Sequence, residues 1–185
     1  IMLEYKLLEE GTVLALGASV GSKIANGDAQ VIKDVKDINK FKPGQVLITE
    51  MTDPDWEPIM KMAAGIVTNR GGRTCHAAII SRELGIPCVV GTNNATERTV
   101  SGKAVTIDCA NGEHGRLLAG KLKFEIKKTD LSKLAKPKTK IMVNLGNPDQ
   151  AFEESFLPVD GVGLAREEFI INSYIQIHPK ALVDY

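Results

Sequence analysis

The sequence has few of the features that attach a protein to a membrane or to a nucleic acid. No hydrophobic run approaches the roughly 20 residues that span a bilayer, and no signal-peptide pattern opens the chain, so we expect no membrane partner. Lysine plus arginine and aspartate plus glutamate both total 23. This balance of charge gives no argument for a nucleic-acid partner or for an acidic membrane surface.

Cysteine is also scarce. The three cysteines, Cys75, Cys88 and Cys109, are odd in number and widely spaced. They match neither a disulfide framework nor the ligand spacing of a zinc site. This pattern favours a reducing compartment, and we therefore expect a cytoplasmic protein.

The composition that remains is that of an ordinary globular protein. Of the 185 residues, 43% are hydrophobic and 25% are charged, which is enough to bury a core. The length fits one large domain, or one domain plus part of another. The opening residues 1–5 look like a cut through a longer polypeptide, although a processed start fits them too.

Residues 1–120 alternate short apolar runs with turns, which predicts a compact α/β domain with a mixed order of elements. The predicted strands lie at residues 13–16, 46–49, 66–68, 86–91, 104–108 and 115–118. A turn at Asn111-Gly112 joins the last two of them.

Two helices are predicted within this domain. Asp53 as cap and Pro54 at the first helical position begin one, which runs to residue 63 or 64 before Gly65. The other begins at residue 73 or 74 and ends at Gly85, because glycine is favoured just after a helix.

The composition of the sequence changes after residue 120. Lysines recur over residues 121–140 and the apolar pattern weakens, which favours a solvated linker over a basic binding patch. Residues 141–185 then read as strand, helix and strand. So short a segment cannot close a core alone, and we expect it to be the start of a further domain.

A histidine lies just inside the start of the second predicted helix, directly after a glycine pair. Gly71 and Gly72 let the backbone approach a ligand closely, and the free amides and dipole of a helix start favour phosphate. Imidazole titrates near neutrality, so a neutral ring nitrogen is available to attack phosphorus. His76 is therefore the predicted carrier of a phosphoryl group.

The neighbours of His76 suit the same chemistry. Thr74 can bond the imidazole or the phosphate, and Arg70 and Arg73 can neutralise phosphate charge. The predicted phosphate-binding residues are Gly71, Gly72, Arg73 and Thr74. A lone histidine near a helix start is more often a capping or packing residue, but the glycine pair and the arginines favour the carrier.

The run GGRTCHAAIISRELGIPCVVG at residues 71–91 resembles the phosphohistidine signature of the phosphoenolpyruvate-utilising enzymes. Within that family its Thr-Cys-His form is most similar to the pyruvate, water dikinases. The runs VNLGNPDQAF at 143–152 and GVGLAREEFIIN at 161–172 resemble the opening of the family's barrel domain. The resemblance covers most of residues 11–180, more loosely before residue 43 and in the lysine-rich segment.

The resemblance implies a fold and a reaction. It implies a swivelling phosphohistidine β/α domain at 1–120, a hinge-like linker at 121–140, and the first elements of an incomplete (β/α)8 barrel at 141–185. In such enzymes ATP phosphorylates the histidine, and the phosphoryl group then passes to pyruvate to give phosphoenolpyruvate, AMP and phosphate. The whole enzyme is expected to be a homo-oligomer, and this segment alone is expected to be inactive in the full reaction.

The resemblance also implies roles for single residues. His76 matches the phosphorylated histidine, and Arg166 matches a barrel arginine that contacts the phosphoryl group or phosphoenolpyruvate. A planar guanidinium suits paired oxygens in any case, although a surface arginine at a strand end is the alternative. Glu168 either orients Arg166 or lies on a solvated face.

No metal ligand is assigned to this chain. The family's Mg²⁺-binding carboxylates and its catalytic cysteine fall in parts that have no counterpart here. His114 and His178 are interpreted as surface residues. The acidic residues at 53, 55 and 57 are interpreted as helix-start acids that complement the dipole, rather than as a metal cluster.

Two other hypotheses stay open at this point. The same histidine helix occurs in enzyme I of the sugar phosphotransferase system, where phosphoenolpyruvate is the donor and a small carrier protein is the acceptor. A catalytically silent binding module on the same fold is the other alternative.

Overall fold

A computed structural model describes residues 2–130, 135–145, 151–171, 175 and 177–183 of the chain. The chain divides into two compact units. One is Leu3–Lys128, and the other is Thr129–Tyr185 together with Ile1–Met2. The motif segments 146–150 and 172 lie outside the described residues.

Nine strands belong wholly or mainly to the first unit. They are β1 (Met2–Leu7), β2 (Val13–Val20), β3 (Ile24–Val31), β4 (Val46–Thr49), β5 (Gly65–Thr68), β6 (Cys88–Val90), β7 (Ala104–Asp108), β8 (His114–Ala119) and β9 (Phe124–Thr129). Strands β2 to β8 close a barrel in the order β2-β6-β5-β4-β3-β7-β8, and β1 pairs with β9 in a separate sheet. The six predicted strands of this domain are all confirmed, whereas the closed barrel was not predicted.

The barrel mixes two kinds of strand pairing. The neighbours β3, β4, β5 and β6 are parallel, and the remaining pairs are antiparallel. Because parallel strands point the same way, the loops that leave the carboxyl ends of β4, β5 and β6 meet at one edge of the sheet. That edge carries the candidate site.

Alternate residues of the parallel strands enter two hydrophobic clusters. Val46, Ile48 and Val67 belong to the cluster that fills the barrel. Leu47 and Ile66 belong to a second cluster, which also contains side chains of the covering helices. Strands buried on both faces read as continuous apolar runs, which is why these short segments were recognisable from the sequence.

Three short helices cover the first unit. They are α1 (Glu57–Met60), α2 (His76–Leu84) and α3 (Ala95–Arg98). Asp53 is the predicted cap: its side chain accepts a hydrogen bond from the Asp55 amide, and a 3₁₀ turn, Pro54–Trp56, leads into α1. The predicted end of this helix at residue 63 or 64 is wrong, because α1 stops at Met60 and Gly65 already begins β5.

Helix α2 begins later than predicted. The Cys75 amide donates to the Gly72 carbonyl, which closes a turn over residues 72–75, and Cys75 itself is extended. The helix therefore starts at His76 rather than at residue 73 or 74. Gly85, with φ +65°, ends it as predicted.

The hairpin of β7 and β8 is held by a buried carboxylate. Asp108, fully buried, accepts hydrogen bonds from the amide of Ala110, the side chain of Asn111 and the guanidinium of Arg116. The Ser19 hydroxyl donates to the Gly112 carbonyl, which ties the turn to β2. The turn predicted at Asn111-Gly112 is confirmed.

Residues 124–129 do not form the solvated linker that the lysine content favoured. They form β9, and the Tyr5 and Phe124 rings pack with their centroids 6.0 Å apart. Lys127 lies 3.6 Å from Glu4, a cross-strand ion pair of the kind that supports a sheet. Opposite charges on the partner strand explain why a lysine-rich segment is ordered here.

In the described residues of the second unit there are two parallel strands and three short helices. They are β10 (Met142–Leu145), α4 (Ala151–Glu154), β11 (Gly161–Ala165), α5 (Glu167–Ile170) and α6 (Pro179–Val183). β10 and β11 pair in parallel, so the predicted sequence of strand, helix and strand is confirmed. No helix in the described part of the chain is long and apolar enough to cross a membrane.

Candidate active site at the start of helix α2

Three loops converge at the carboxyl edge of the parallel strands. The loop after β4 carries Thr52, the loop after β5 carries the glycine pair and leads into α2, and the loop after β6 carries Gly91. The amides of Asn69 and Arg70 donate to the carbonyls of residues 49 and 50 and fix the first two loops against each other. The parallel pairing thus brings together residues that are far apart in sequence.

Two of the glycines in these loops are required by packing. Gly71 has φ +104°, and a Cβ there would lie 2.7 Å from the Cys75 Sγ. Gly91 has φ +71°, and a Cβ there would lie 2.9 Å from the Gly71 carbonyl oxygen. Gly72 differs, because a Cβ at this position would meet nothing within 4 Å. The space beside Gly72 is therefore open next to the helix start.

His76 is the first residue of α2, and its ring is held from one side. Its Nδ1 lies 3.0 Å from the Thr52 hydroxyl oxygen. Its Nε2 is buried and has no hydrogen-bond partner among the described residues. Glu57 Oε1 lies 3.9 Å from Nε2, which is within ion-pair range but beyond hydrogen-bond range.

This geometry is compatible with the tautomer that nucleophilic chemistry at Nε2 needs. A neutral imidazole carries one proton, and the nitrogen without the proton is the nucleophile. When Nδ1–H donates to the Thr52 oxygen, the lone pair is on Nε2, which has no hydrogen-bond partner among the described residues. In that tautomer Nε2 is the atom that can attack phosphorus.

The start of α2 is open to an anion. The first amides of a helix have no partner within the helix, and the Cys75 side chain makes no capping hydrogen bond to them. Of the nine residues of α2, Ala77, Ala78 and Ser81 are buried, and Ile80 and Leu84 pack against the core cluster that the helices cover. The helix is thereby fixed on the barrel, and its positive end is directed at the site.

The two arginines expected to neutralise phosphate charge are already paired. Arg73 donates to the side chain of Glu113 at 3.1 Å and to its carbonyl at 3.0 Å. Arg70 Nε lies 2.7 Å from a Glu50 carboxylate oxygen. Each arginine can still bind phosphate, but it would then exchange its glutamate partner for the phosphate. Thr74 is exposed.

A polar cluster at Asn69 was missed in the sequence. Asn69 is buried and donates to a carboxylate oxygen of Glu50 and to the Thr96 hydroxyl, each at 2.7 Å. Its own carbonyl oxygen accepts from the Thr96 amide at 3.1 Å. The cluster fixes the loop that leads to the glycine pair. Only the position of Asn69 directly after a buried strand hinted at it.

Arg166 lies in the second compact unit, directly after β11. Its amide donates to the Leu145 carbonyl at the end of β10, at 2.8 Å, and its side chain is exposed. It therefore occupies the carboxyl end of a parallel strand, where barrel enzymes place their functional residues. Its contact with a phosphoryl group or phosphoenolpyruvate stays a prediction.

The described residues contain no metal site. Among them, no three histidine, cysteine, aspartate or glutamate side chains come close enough to hold an ion. His114 and His178 are exposed, as interpreted from the sequence. The Mg²⁺ that the family resemblance implies therefore finds no ligand set in this part of the chain.

All three cysteines are free thiols. Burial raises the pKa of Cys88 to about 12 and that of Cys109 to about 11. A thiol of so high a pKa is protonated near neutrality and is a poor nucleophile. Neither buried cysteine competes with His76 as the reacting group.

Comparison with known proteins finds a family model that matches the part of the chain with this site. Residues 41–112 match the family model described as the mobile domain of PEP-utilising enzymes. The match includes Thr52, the glycine pair and His76. This part of the chain is therefore similar to the mobile domain of that family.

Two curated relatives are similar to nearly the whole chain. The chain is 58% identical over 173 residues to the phosphoenolpyruvate synthase of Aquifex aeolicus (strain VF5), covering 94% of this chain and 20% of that protein. It is 52% identical over 185 residues to the phosphoenolpyruvate synthase of Escherichia coli (strain K12), covering 100% of this chain and 23% of that protein. The chain thus spans about a fifth of the length of these curated relatives.

A solved structure is also similar in part. It is titled an NMR solution structure of Enzyme I (nEIt), with 32% identity and a match over 43% of this chain and 33% of the other. The TM-score is 0.37, which is too low to carry an argument.

Proposed function

We propose that this chain is the phosphoryl-carrying part of a phosphoenolpyruvate synthase, with His76 as the residue that is phosphorylated. The proposal covers the reaction of the longer protein: ATP, pyruvate and water give phosphoenolpyruvate, AMP and phosphate. The relatives named above, of which this chain matches about a fifth, support the reaction. The observation that carries the proposal is the His76 ring, whose Nδ1 contacts the Thr52 hydroxyl and whose Nε2 has no hydrogen-bond partner among the described residues.

The chemistry at His76 is a group transfer without a proton transfer at the ring. The Nε2 lone pair forms a bond to the β-phosphorus of ATP, and the bond from that phosphorus to the oxygen of AMP breaks. Water then cleaves off the γ-phosphoryl group as phosphate, which leaves one phosphoryl group on Nε2. The Nδ1 proton stays on the ring and remains bonded to Thr52. In the onward transfer the N–P bond breaks, and a new P–O bond forms to the enolate oxygen of pyruvate.

The helix start and the glycine pair supply the binding of the phosphoryl group in this proposal. The first amides of α2 point toward a group attached at its first residue, and the open space beside Gly72 leaves room for phosphoryl oxygens. The Arg73 guanidinium is held near this turn by Glu113 and is the cation we assign to the transferred group. Gly71 acts by shaping the turn.

The carrier must meet two partners, a nucleotide-binding part and a pyruvate-binding part. We place the hinge for this movement after Thr129, because β9 ties residues 124–129 to β1. We further propose that β10, α4 and β11 begin the (β/α)8 barrel, with Arg166 as a ligand of phosphoenolpyruvate. Mg²⁺ and the remaining substrate contacts then belong to other parts of the longer protein.

The test is to phosphorylate the longer protein with ATP labelled at the β-phosphate and to map the acid-labile label. We expect the label on His76, its loss on addition of pyruvate, and no labelling in His76→Ala. His114→Ala is the matched control and should label normally. Label from phosphoenolpyruvate but not from ATP would replace the synthase with an enzyme I-like carrier. No acid-labile label from either donor would overturn phosphorylation altogether.

A further inference from the structure

The side chain of Glu57 faces the nitrogen that the proposed function uses. Its Oε1 lies 3.9 Å from His76 Nε2, and both side chains are partly buried, with 37% and 23% of their surface exposed. Nε2 has no hydrogen-bond partner among the described residues. A phosphoryl group attached at Nε2 would therefore form beside a carboxylate.

Glu57 has a second partner. Its other oxygen, Oε2, lies 3.8 Å from Lys61 Nζ, one helical turn further along the chain. The carboxylate thus lies between a cation and the reacting nitrogen, and Lys61 offsets part of its charge. The effect of Glu57 on His76 should then depend on whether Lys61 is present.

We propose that Glu57 is a positioning residue that raises the phosphoryl-transfer potential of phosphorylated His76. The inference rests on the proposed phosphorylation of that histidine. A phosphoryl dianion on a ring that keeps its Nδ1 proton carries a net charge of −1, so a carboxylate about 4 Å from Nε2 repels the phosphorylated histidine more than it affects the neutral imidazole. The phosphorylated form is raised in free energy relative to the free form, and the group is passed on to pyruvate more readily.

Such a residue suits a carrier better than it suits a catalyst that retains its phosphate. The amides of the helix start and the assigned arginine stabilise the bound phosphoryl group, and by themselves they would hold it too firmly. The negative charge of the Glu57 carboxylate, close to Nε2, repels the phosphoryl group and offsets part of that stabilisation. Lys61 weakens this repulsion, since its ammonium group offsets part of the charge of the Glu57 carboxylate.

The experiment measures the equilibrium between free and phosphorylated His76 in the longer protein, in magnesium-containing buffer, over a series of phosphoenolpyruvate-to-pyruvate ratios. Glu57→Gln should shift this equilibrium about tenfold toward phosphohistidine. Lys61→Met should shift it in the opposite direction, by about threefold, because the carboxylate then acts on Nε2 without its counter-charge. Asp55→Asn is the matched control: it removes the same charge two residues away and should leave the equilibrium unchanged.

The pair of variants separates electrostatics from a structural role. If Glu57 and Lys61 merely stabilise α1 through their ion pair, both variants should shift the equilibrium the same way and lower the urea midpoint of unfolding. That result, or a Glu57→Gln equilibrium equal to that of Asp55→Asn, would overturn the inference. Failure of the proposed function is a different outcome, since the unsubstituted protein would then form no phosphohistidine.

Discussion

The Thr52 hydroxyl oxygen lies 3.0 Å from His76 Nδ1, although 24 positions separate the two residues in the chain. Thr52 follows β4 and is buried, whereas His76 begins α2 after the next strand. The contact exists because β4 and β5 are parallel neighbours whose following loops meet at one edge. It holds the imidazole ring from its Nδ1 side.

Removing the Thr52 hydroxyl should therefore slow phosphorylation without unfolding the domain. Thr52→Val keeps the shape of the side chain but leaves the ring proton of Nδ1 without an acceptor. One buried hydrogen bond of this kind corresponds to about 1–2 kcal/mol, so the phosphorylation rate should fall roughly tenfold. The measurement is the rate of acid-labile labelling in the longer protein.

Thr52→Ser supplies the control, since it retains the hydroxyl and should keep most of the rate. Equal rates in the valine and serine variants would mean that Thr52 contributes packing and not the hydrogen bond.

The two residues of the glycine pair should respond differently to alanine. Gly71→Ala places a Cβ 2.7 Å from the Cys75 Sγ at a φ of +104°, so it should lower the free energy of unfolding by about 1–3 kcal/mol. Gly72→Ala meets nothing within 4 Å and should leave stability nearly unchanged. Urea unfolding followed by circular dichroism measures both.

Phosphorylation gives the second readout for this pair. Gly72→Ala should still slow labelling of His76, because its methyl group enters the space that we assign to the phosphoryl oxygens. A stable Gly72→Ala protein with an unchanged labelling rate would remove Gly72 from the phosphate site.

The buried thiols should make stability fall at alkaline pH. Burial raises the pKa of Cys88 to about 12 and that of Cys109 to about 11, from a reference value of 9.0. Above about pH 9 the unfolded chain loses thiol protons that the folded chain retains, so ionisation favours unfolding. The contribution is fully present below pH 9 and is lost as the pH rises through 11 and 12.

Thiol titration tests the same burial directly. With a thiol-specific reagent at pH 8, only Cys75 should react in the folded protein, and all three cysteines should react in urea. Cys75→Ser should abolish the reaction of the folded protein. Rapid reaction of two or three thiols without urea would contradict the burial of Cys88 and Cys109.

The sequence allowed the strands to be predicted better than their arrangement. Val46–Thr49 and Gly65–Thr68 are continuous apolar or β-branched runs, and such runs mark buried strands whatever their partners are. Closure of the barrel depends on pairings such as β2 with β8, which join residues about 100 positions apart. No local pattern encodes a pairing at that separation.

His76 could be singled out from the sequence as the candidate carrier, and its surroundings could not. The glycine pair and the helix pattern are local, and both pointed to His76. Thr52 and Glu57 reach it only through the parallel pairing of β4 and β5. Glu57 was interpreted from the sequence as a helix-start acid, which it is, since it begins α1. Its position near His76 Nε2 could be recognised only once the fold was known.

The segment 121–140 shows how charge alone can mislead. Lysine density favoured a solvated linker, yet Lys127 and Lys6 face Glu4 and Glu125 across the pair of β1 and β9. Residues 1–7 and 124–129 had to be considered together for the strand to be recognised.

Closure of the barrel has a consequence for a domain that we propose to travel. An open sheet ends in strands whose backbone groups can pair with another molecule, and β2 to β8 have no such end because β8 returns to β2. The seven strands can therefore leave one neighbour and approach another without exposing a template for aggregation. The carrier is protected by its own topology during the interval when neither partner covers it.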